Sequence, residues 1–310
     1  MKKVLVTCPP MLGLFDEIQQ IRSSKTAAYF KAPVIQALSE AELVQMLPDY
    51  DGWIIGDDPA THRVLDAGRR GALKAVVKWG IGIDNVNVDA CKQFGLMFSN
   101  TPNMFGAEVA DLALGYVIAL ARETFLIDRC IRRGEWPKPI GVSLSGKKVA
   151  VVGMGDIGRS LSIRLLACGM EVCGYDPFCD HSTLDSRITI SEWPDIIEGV
   201  DFIVLTCALT ESSRKMLNVD ALDKVKRGVR IVNVGRGGVV DERALECSLA
   251  SGIVHSVALD VYEEEPLPMS SPLRDHPRCI FGSHNASNTR DAVLRTTSKA
   301  IEKMESFLSG

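Results

Sequence analysis

The sequence lacks a strong net charge, a long apolar run and any cysteine pair of the CxxC type. Its 35 basic and 39 acidic side chains leave a net charge of −4, so no global basic field favours nucleic acid or an anionic membrane. In the first half of the chain the longest apolar run spans residues 112–121, well below the roughly 20 residues of a membrane span. With nine cysteines and no CxxC pair, neither a disulfide scaffold nor a zinc site is expected.

The N-terminus and the cysteines together indicate a cellular compartment. Residues 1–6 hold two lysines and a very short apolar run, which Pro9 and Pro10 end. There is no room here for the apolar core of a signal peptide. Thiols without a disulfide pattern are typical of a reducing compartment, so we expect a cytoplasmic protein. Its length of 310 residues predicts about two domains.

Short β-branched runs alternate with helix-like stretches in two series. The first series has strands at residues 4–7, 53–55, 75–78 and 97–99, with helices at 40–47, 61–67 and 87–94. The second has strands at 149–152, 171–175, 202–205, 230–233, 256–259 and 279–281, with helices at 157–167, 192–197, 219–225 and 242–251. This alternation predicts an α/β fold with parallel strands joined by right-handed crossovers. Six strands are the content of a dinucleotide-binding sheet.

Two helical regions stand outside this alternation. Residues 111–133 are mostly apolar, with a break near 122–124. Their apolar face exceeds one packing surface, which suits a helix between domains or subunits, or a helix buried in a core. Leu294, Ile301, Met304 and Leu308 recur at helical spacing, so a terminal helix is predicted over residues 291–308.

Residues 153–158, of sequence GMGDIG, are the sharpest local motif. They follow an apolar strand and open an amphipathic helix, which is the context that a dinucleotide-binding GxGxxG requires. Gly153 permits the tight turn, Gly155 lets the backbone approach a pyrophosphate, and Gly158 lets the helix pack on the strand. The helix N-terminus then offers N–H groups to the phosphates.

An acidic residue at the end of the next strand completes this motif. It is expected about 20 residues after the first glycine, and Asp176 follows the strand at 171–175. Its carboxylate can accept hydrogen bonds from both hydroxyls of the adenosine ribose and would repel a 2′-phosphate. The sequence therefore predicts NAD as the cofactor, ahead of NADP.

An arginine, a glutamate and a histidine each lie just past a predicted strand of the second series. Arg236 follows the strand at 230–233, Glu265 follows 256–259, and His284 follows 279–281. Ligands of open α/β sheets bind at this edge. A guanidinium can hold a carboxylate and polarise a carbonyl, an imidazolium can donate a proton, and a neighbouring carboxylate favours the charged imidazole. Together they predict hydride transfer to a 2-keto acid.

With these motifs the chain resembles the D-isomer-specific 2-hydroxyacid dehydrogenase family, of the phosphoglycerate dehydrogenase and glyoxylate/hydroxypyruvate reductase type. The resemblance covers nearly the whole length and rests on residues 153–158, 233–242 (NVGRGGVVDE), 260–266 (DVYEEEP) and His284. It implies two doubly wound parallel-sheet domains. A Rossmann NAD-binding domain, residues 100–283, would be inserted in a flavodoxin-like substrate domain of residues 1–99 and 284–310. It also implies a homodimer formed through helices equivalent to residues 107–133.

The resemblance implies roles for individual residues. Arg236 would bind the substrate carboxylate and carbonyl, His284 would be the acid/base, and Glu265 its partner. Residues 78–85 (KWGIGIDN) resemble the family's substrate loop, where Lys78 and the N–H groups of Ile81 and Gly82 would bind substrate. The implied cofactor-binding residues are Gly153, Gly155, Asp156, Ile157, Gly158, Asp176, Cys207, Val234 and Asp260, the last beside the nicotinamide carboxamide.

The sequence departs from the phosphoglycerate dehydrogenases at the strand end that carries Gly56, Asp57 and Asp58. Those enzymes have an arginine there for the substrate phosphate, whereas two acids would repel a dianion. Glyoxylate, hydroxypyruvate and related acids are therefore expected ahead of 3-phosphoglycerate, which stays possible. The regulatory domain of the longer phosphoglycerate enzymes is also expected to be missing.

Two alternative functions fit the same motifs. An NAD-sensing, dimeric corepressor of this fold keeps the same residues, and a formate- or phosphite-type dehydrogenase shares the cofactor domain. We expect instead an NAD-dependent D-2-hydroxyacid dehydrogenase with a small-molecule substrate and no metal, nucleic-acid or membrane partner. Turnover on a panel of hydroxy acids distinguishes the three.

Overall fold

The structure is a computed structural model that describes residues 1–309. The chain divides into two compact units, one made of Met1–Met104 and the residues from Asn288 onward, the other of Phe105–Ser287. Each unit is built on one β-sheet, of five strands in the first and seven in the second. The predicted α/β fold with two parallel sheets is confirmed.

The first unit has its strands in the order β2-β1-β3-β4-β5, the order of flavodoxin-like sheets. All of its strand pairs are parallel. The strands are β1 (Lys2–Val6), β2 (Ala27–Lys31), β3 (Gly52–Ile55), β4 (Ala75–Lys78) and β5 (Met97–Asn100). The helices are α1 (Pro9–Gly13), α2 (Gln19–Ser23), α3 (Glu40–Met46), α4 (His62–Arg70), α5 (Val88–Gln93) and, at the C-terminus, α11 (Arg290–Ser309).

Local sequence explains where the helices of this unit begin. Ser39 and Glu42 form a reciprocal capping box at the start of α3, which satisfies two backbone N–H groups that lack a partner inside the helix. Thr61 and Asn87 cap α4 and α5 in a similar way, each through its side-chain oxygen. Between the helices, β3 and β4 are buried along their whole length, as central parallel strands are.

The second unit has its strands in the order β12-β11-β10-β9-β6-β7-β8. Renumbered from β6, this is the Rossmann order with a seventh strand added at one edge. The strands are β6 (Lys148–Val152), β7 (Glu171–Tyr175), β8 (Thr189–Ile190), β9 (Phe202–Leu205), β10 (Val229–Asn233), β11 (Val254–Leu259) and β12 (Cys279–Phe281). The helices are α6 (Gly106–Arg122), α7 (Thr124–Arg132), α8 (Asp156–Ala167), α9 (Val219–Leu222) and α10 (Glu242–Ala250).

The register of the second sheet places the ends of six strands in one row. Each of these strands pairs its last residue with the last residue of its neighbour: Tyr175, Val152, Leu205, Asn233, Leu259 and Phe281. The residues that follow these positions therefore begin at one edge of the sheet. That edge is where the motifs of the second series lie.

Several elements differ from the sequence predictions. The edge strands β2 and β8 were not predicted, and the helix expected over residues 192–197 is only a single 3₁₀ turn, Asp195–Ile197. Pro194 explains the shortening, because a proline disfavours helical backbone in the residue before it. The break predicted near 122–124 is confirmed: Glu123 has a left-handed φ of 55° between α6 and α7. Within residues 1–309, no helix is long and apolar enough to cross a membrane.

Candidate active site

The glycine loop lies between the buried strand β6 and the first turn of α8, where Asp156 and Ile157 also lie. Gly153 has a φ of 100°, a conformation that glycine adopts without strain. A Cβ at Gly158 would overlap the carbonyl oxygen of Gly153, whereas a Cβ at Gly155 would meet no atom of the chain within 4 Å. The loop is thus tightly packed on its inner side and open beside the helix N-terminus, where a pyrophosphate fits.

Asp176 lies against this loop. One of its carboxylate oxygens accepts the Met154 N–H at 2.9 Å, and the other accepts the Phe178 N–H at 2.9 Å. Each oxygen of a carboxylate can accept a further hydrogen bond, so the side chain can still receive ribose hydroxyls. The structure therefore brings together the glycine loop and its predicted acidic partner, and both fit a bound NAD.

Cys207 follows β9 and packs beside Gly153, since a Cβ on that glycine would lie 2.6 Å from the Cys207 Cα atom. Burial raises the pKa of the Cys207 thiol to about 12, so the group stays uncharged at neutral pH. Val234 follows β10 and is buried. Both residues shape the edge of the sheet by packing and bring no charge to it.

Asp260 follows β11 and is 1% exposed. Its carboxylate accepts the N–H groups of Asn285 at 3.2 Å and Ala286 at 2.9 Å, and its backbone carbonyl accepts the His284 N–H at 2.7 Å. Burial raises the pKa of this carboxyl, while the two backbone hydrogen bonds and His284 oppose the rise. Asp260 thus holds the loop that carries His284, a contact that the sequence did not reveal. Its predicted approach to the nicotinamide stays a prediction.

His284 and Glu265 are in direct contact. The Nδ1 atom of His284 lies 2.7 Å from Oε2 of Glu265, and each side chain is 24% exposed. The other oxygen of Glu265 accepts the Tyr262 N–H at 3.0 Å. His284 has a left-handed φ of 54°, which is uncommon for a residue with a Cβ.

Arg236 lies in the turn after β10, next to the strand that leads to Glu265. Asn233 builds this turn: its side-chain oxygen accepts the Gly235 N–H and its side-chain nitrogen donates to the Arg236 carbonyl, both at 3.0 Å. The guanidinium Nη1 donates to the Gly235 carbonyl at 2.9 Å. Sequence reasoning missed Asn233, although an asparagine followed closely by glycine at a strand end is a turn signal.

The predicted substrate loop lies in the first unit, after β4. The Gly80 carbonyl accepts the Thr101 backbone N–H at 3.0 Å, and the Gly80 N–H donates to the Thr101 hydroxyl at 2.7 Å. The Ile81 carbonyl accepts the Asn100 side chain at 2.8 Å. Ile81 is 44% exposed and Gly82 is partly buried. These contacts brace the loop against the end of β5, and its role toward a substrate carboxylate stays a prediction.

Lys78, Asp57 and Asp58 are arranged differently from the sequence expectation. Lys78 is 3% exposed, and its ammonium donates to the Gly56 carbonyl and to Asp57, the latter at 3.1 Å. Asp58 is fully buried, where it accepts the Leu38 N–H at 2.8 Å and the Thr7 hydroxyl. The two acids therefore do not present two negative charges to a ligand, because one is internal and the other is paired.

Comparisons with known proteins agree with this geometry. The family model for the NAD-binding domain of the D-isomer specific 2-hydroxyacid dehydrogenases matches residues 114–286, which are more than half of the chain. The chain belongs to this family. Both the predicted family and NAD as the family's cofactor are thereby confirmed.

Individual members of the 2-hydroxyacid dehydrogenase family are similar over most of the chain. A hydroxypyruvate reductase of Thermotoga maritima is 33% identical over 86% of this chain and 88% of its own length. A D-3-phosphoglycerate dehydrogenase of Methanocaldococcus jannaschii is 29% identical over 100% of this chain and 58% of its own length. The solved structure of the TT0316 protein of Thermus thermophilus superposes with a TM-score of 0.86, at 27% identity, covering 99% of this chain and 97% of its own. The chain spans about half the length of the phosphoglycerate dehydrogenases that it matches.

Proposed function

We propose that this chain is an NAD-dependent oxidoreductase that transfers hydride between the nicotinamide and C2 of a small D-2-hydroxy acid or 2-keto acid. The observation that carries the proposal is the 2.7 Å contact between His284 and Glu265, at the sheet edge that also carries the glycine loop and Arg236. Membership of the family supports it, as do the names of the relatives, which include a hydroxypyruvate reductase and a phosphoglycerate dehydrogenase.

The proposed roles of the three side chains follow from their chemistry. NAD, when bound, supplies or accepts the hydride. Because Nδ1 of His284 faces Glu265, the proton would be exchanged at Nε2: the charged ring donates it to the substrate oxygen in reduction, and the neutral ring removes it in oxidation. Glu265 orients the ring and favours its charged form. Arg236 would hold the substrate carboxylate with its planar guanidinium and polarise the carbonyl.

For the substrate we infer a small acid without a phosphate, with glyoxylate and hydroxypyruvate ahead of 3-phosphoglycerate. The support is the ion pair at the end of β4. Lys78 is 3% exposed and already paired with Asp57 at 3.1 Å, so a phosphate would have to displace Asp57 to gain this cation. Turnover of 3-phosphoglycerate far above that of all simple 2-hydroxy acids would overturn this ranking.

The test of the proposed function is a panel of 2-keto acids with NADH and with NADPH, followed by the absorbance of the reduced cofactor. We expect turnover with NADH on at least one small 2-keto acid. His284→Ala should lower kcat by about 10²–10⁴, whereas His181→Ala, at an exposed histidine, serves as the matched control. Near-wild-type turnover of His284→Ala would remove this residue from the acid/base role.

Two further comparisons separate the proposal from its alternatives. Arg236→Lys should lose most activity, because an ammonium cannot reproduce the planar two-point contact, while Arg243→Lys, at an exposed arginine of α10, should not. NAD binding without turnover on any hydroxy or keto acid would favour the corepressor function. Turnover restricted to formate or phosphite would favour a formate- or phosphite-type dehydrogenase.

We also propose a homodimer formed through α6 and α7. These helices expose the large apolar side chains Ile118, Phe125 and Ile131, each between 40% and 47% exposed. Exposed apolar side chains on neighbouring helices are typical of a covered surface. Light scattering of the purified chain should give twice its mass of 33.8 kDa, and a monomer at micromolar concentration would contradict the proposal.

A further inference from the structure

The turn that carries Arg236 and the loop that carries Glu265 are in direct contact through their backbones. A Cβ at Gly237 would overlap the carbonyl group of Tyr262, so only a glycine allows this approach. The contact places the peptide between Tyr262 and Glu263 against the residue that follows Arg236. Because the two backbones are in contact, a displacement of one segment would also displace the other.

A pair of glutamates joins the same two segments by hydrogen bonds a few residues further along the chain. Glu242, the first residue of α10, accepts the Glu263 N–H through Oε1 at 2.6 Å. In return, Oε1 of Glu263 accepts the Glu242 N–H at 3.1 Å. Lys215 lies beside the pair, with its ammonium 3.3 Å from Glu263 and 3.5 Å from Asp241. Two backbone amides are thus satisfied by two side chains, as in a capping box, but between separate segments.

The two glutamates of this pair are not equivalent. Glu242 is partly buried and makes the shorter bond, whereas Glu263 is exposed and also contacts Lys215. Burial raises the pKa of the Glu242 carboxyl, the hydrogen bond from Glu263 opposes the rise, and the nearby carboxylates of Glu263, Glu246 and Glu265 add to it. A carboxylate kept in such surroundings is unfavourable unless the hydrogen bond that it accepts is retained.

The amide held by Glu242 lies two residues before Glu265. In the same loop, the Tyr262 N–H holds Oε1 of Glu265 at 3.0 Å, while Oε2 meets His284 at 2.7 Å. The hydrogen bond that Glu242 accepts from the Glu263 N–H therefore fixes the backbone just before Glu265, the residue whose side chain contacts the imidazole of His284. Charge-assisted bonds of this kind are short and directional.

We propose that Glu242 is a positioning residue, which holds the loop of Glu265 in register with the turn of Arg236 by accepting the Glu263 N–H. It touches neither substrate nor cofactor in this assignment, and it acts through Glu265 on His284. The inference rests on the proposed function, because it assigns a purpose to the contact between Glu265 and the acid/base.

Two substitutions separate positioning from simple electrostatics. Glu242→Gln keeps the length of the side chain and an acceptor oxygen but loses the charge. Glu242→Asp keeps the charge but withdraws the oxygen by one carbon–carbon bond, about 1.5 Å. Both residues are acceptable at the first position of a helix, so α10 should form in both variants. The matched controls are Glu246→Gln and Glu246→Asp, on the same helix but outside the pair.

Positioning predicts that the aspartate variant is the worse of the two. Glu242→Asp should lower kcat by about ten- to hundredfold, with the Kd for NADH unchanged, and should move the midpoint of the pH–rate profile to lower pH because Glu265 no longer holds His284 firmly. Glu242→Gln should restore most of kcat and the wild-type midpoint. A glutamine variant as impaired as the aspartate variant, or an aspartate variant no worse than Glu246→Asp, would overturn the proposal.

A measurement that needs no turnover distinguishes this inference from the proposed function. NMR titration of the five histidine rings, with His284 assigned by its loss in His284→Ala, reports the contact with Glu265 directly. A lower titration midpoint of His284 in Glu242→Asp, and an unchanged one in Glu242→Gln, would support the positioning role even if no substrate were turned over. Equal midpoints in wild type and Glu242→Asp would refute it while leaving the dehydrogenase function intact.

Discussion

Replacement of Glu265 by glutamine should move the pH dependence of catalysis to lower pH. The wild-type carboxylate lies 2.7 Å from His284 Nδ1, and both side chains are only 24% exposed. Glutamine preserves the shape, but its amide has one acceptor oxygen where the carboxylate has two. The substitution therefore removes the negative charge of a largely enclosed pair, together with one of the two acceptors that serve the Tyr262 N–H and His284.

The size of the shift follows from the strength of the contact. Two unit charges about 4 Å apart at an effective dielectric constant of about 20 attract by about 4 kcal/mol before the cost of desolvation is subtracted. A hydrogen bond to a charged partner contributes about 1.5–3 kcal/mol net of desolvation. Since about 1.4 kcal/mol corresponds to one pH unit, Glu265→Gln should lower the midpoint of the pH–rate profile by about 1–2 units.

The shift to lower pH should appear in both directions of the proposed reaction. In the proposed mechanism reduction needs the charged imidazole of His284, so its rate should fall as pH rises through the midpoint, and in Glu265→Gln this fall should come at lower pH. Oxidation needs the neutral ring, so the rate of oxidation in Glu265→Gln should begin to rise at a lower pH than in the wild type. The assay is kcat/KM for both directions between about pH 5 and 9, a range that spans the usual titration of histidine. Glu264→Gln is the matched control, since Glu264 is an exposed neighbour of equal charge. An unmoved midpoint in Glu265→Gln, or an equal shift in the control, would refute the reasoning.

Three further predictions concern the cofactor loop and stability. Gly158→Ala should lower both Tm and NADH affinity, because its methyl group would overlap the Gly153 carbonyl; Gly155→Ala should lower only NADH affinity, measured by fluorescence titration. Asp176→Ala should weaken NADH binding more than NADPH binding, which competition between the two cofactors would reveal. Burial lowers the pKa of His255 below 6.5, helped by nearby arginines. The unfolded chain thus takes up the proton more readily, so Tm should decrease as the pH is lowered below about 6.5. This decrease of Tm with pH should be less steep in His255→Gln.

The central strands of both sheets could be predicted from the sequence because they are buried on both faces. A strand such as β9 or β10 is buried at every position, and its largely apolar run is visible without a partner. The edge strands β2 and β8 escaped prediction for the opposite reason. One has its last two residues exposed and the other is two residues long, so their pairing with β1 and β7 is what makes them strands. That information is tertiary and lies outside any local window.

At the candidate site, the sequence indicated which residues follow each strand, but not what holds them. Arg236, Glu265 and His284 could be named because residues after parallel strands share one edge. The contacts of Asp260 with the N–H groups of the loop after His284 could not, since they join segments 25 and 26 residues apart through backbone groups that nearly every residue has. The same is true of Glu242 and the Glu263 amide. Support of this kind has no sequence motif of its own.

The sequence also does not show in which direction each side chain points. Asp57 and Asp58 illustrate why this matters for the binding site. They are adjacent and follow one strand, but Asp58 is fully buried against Thr7 and Leu38 whereas Asp57 is exposed and reaches Lys78. Adjacent positions in a chain therefore do not ensure that two side chains face the same ligand. A charge count along a loop describes a binding site only once those directions are known. The proposed preference for an unphosphorylated substrate therefore depends on the strength of the Asp57–Lys78 pair, and no longer on the sum of two negative charges.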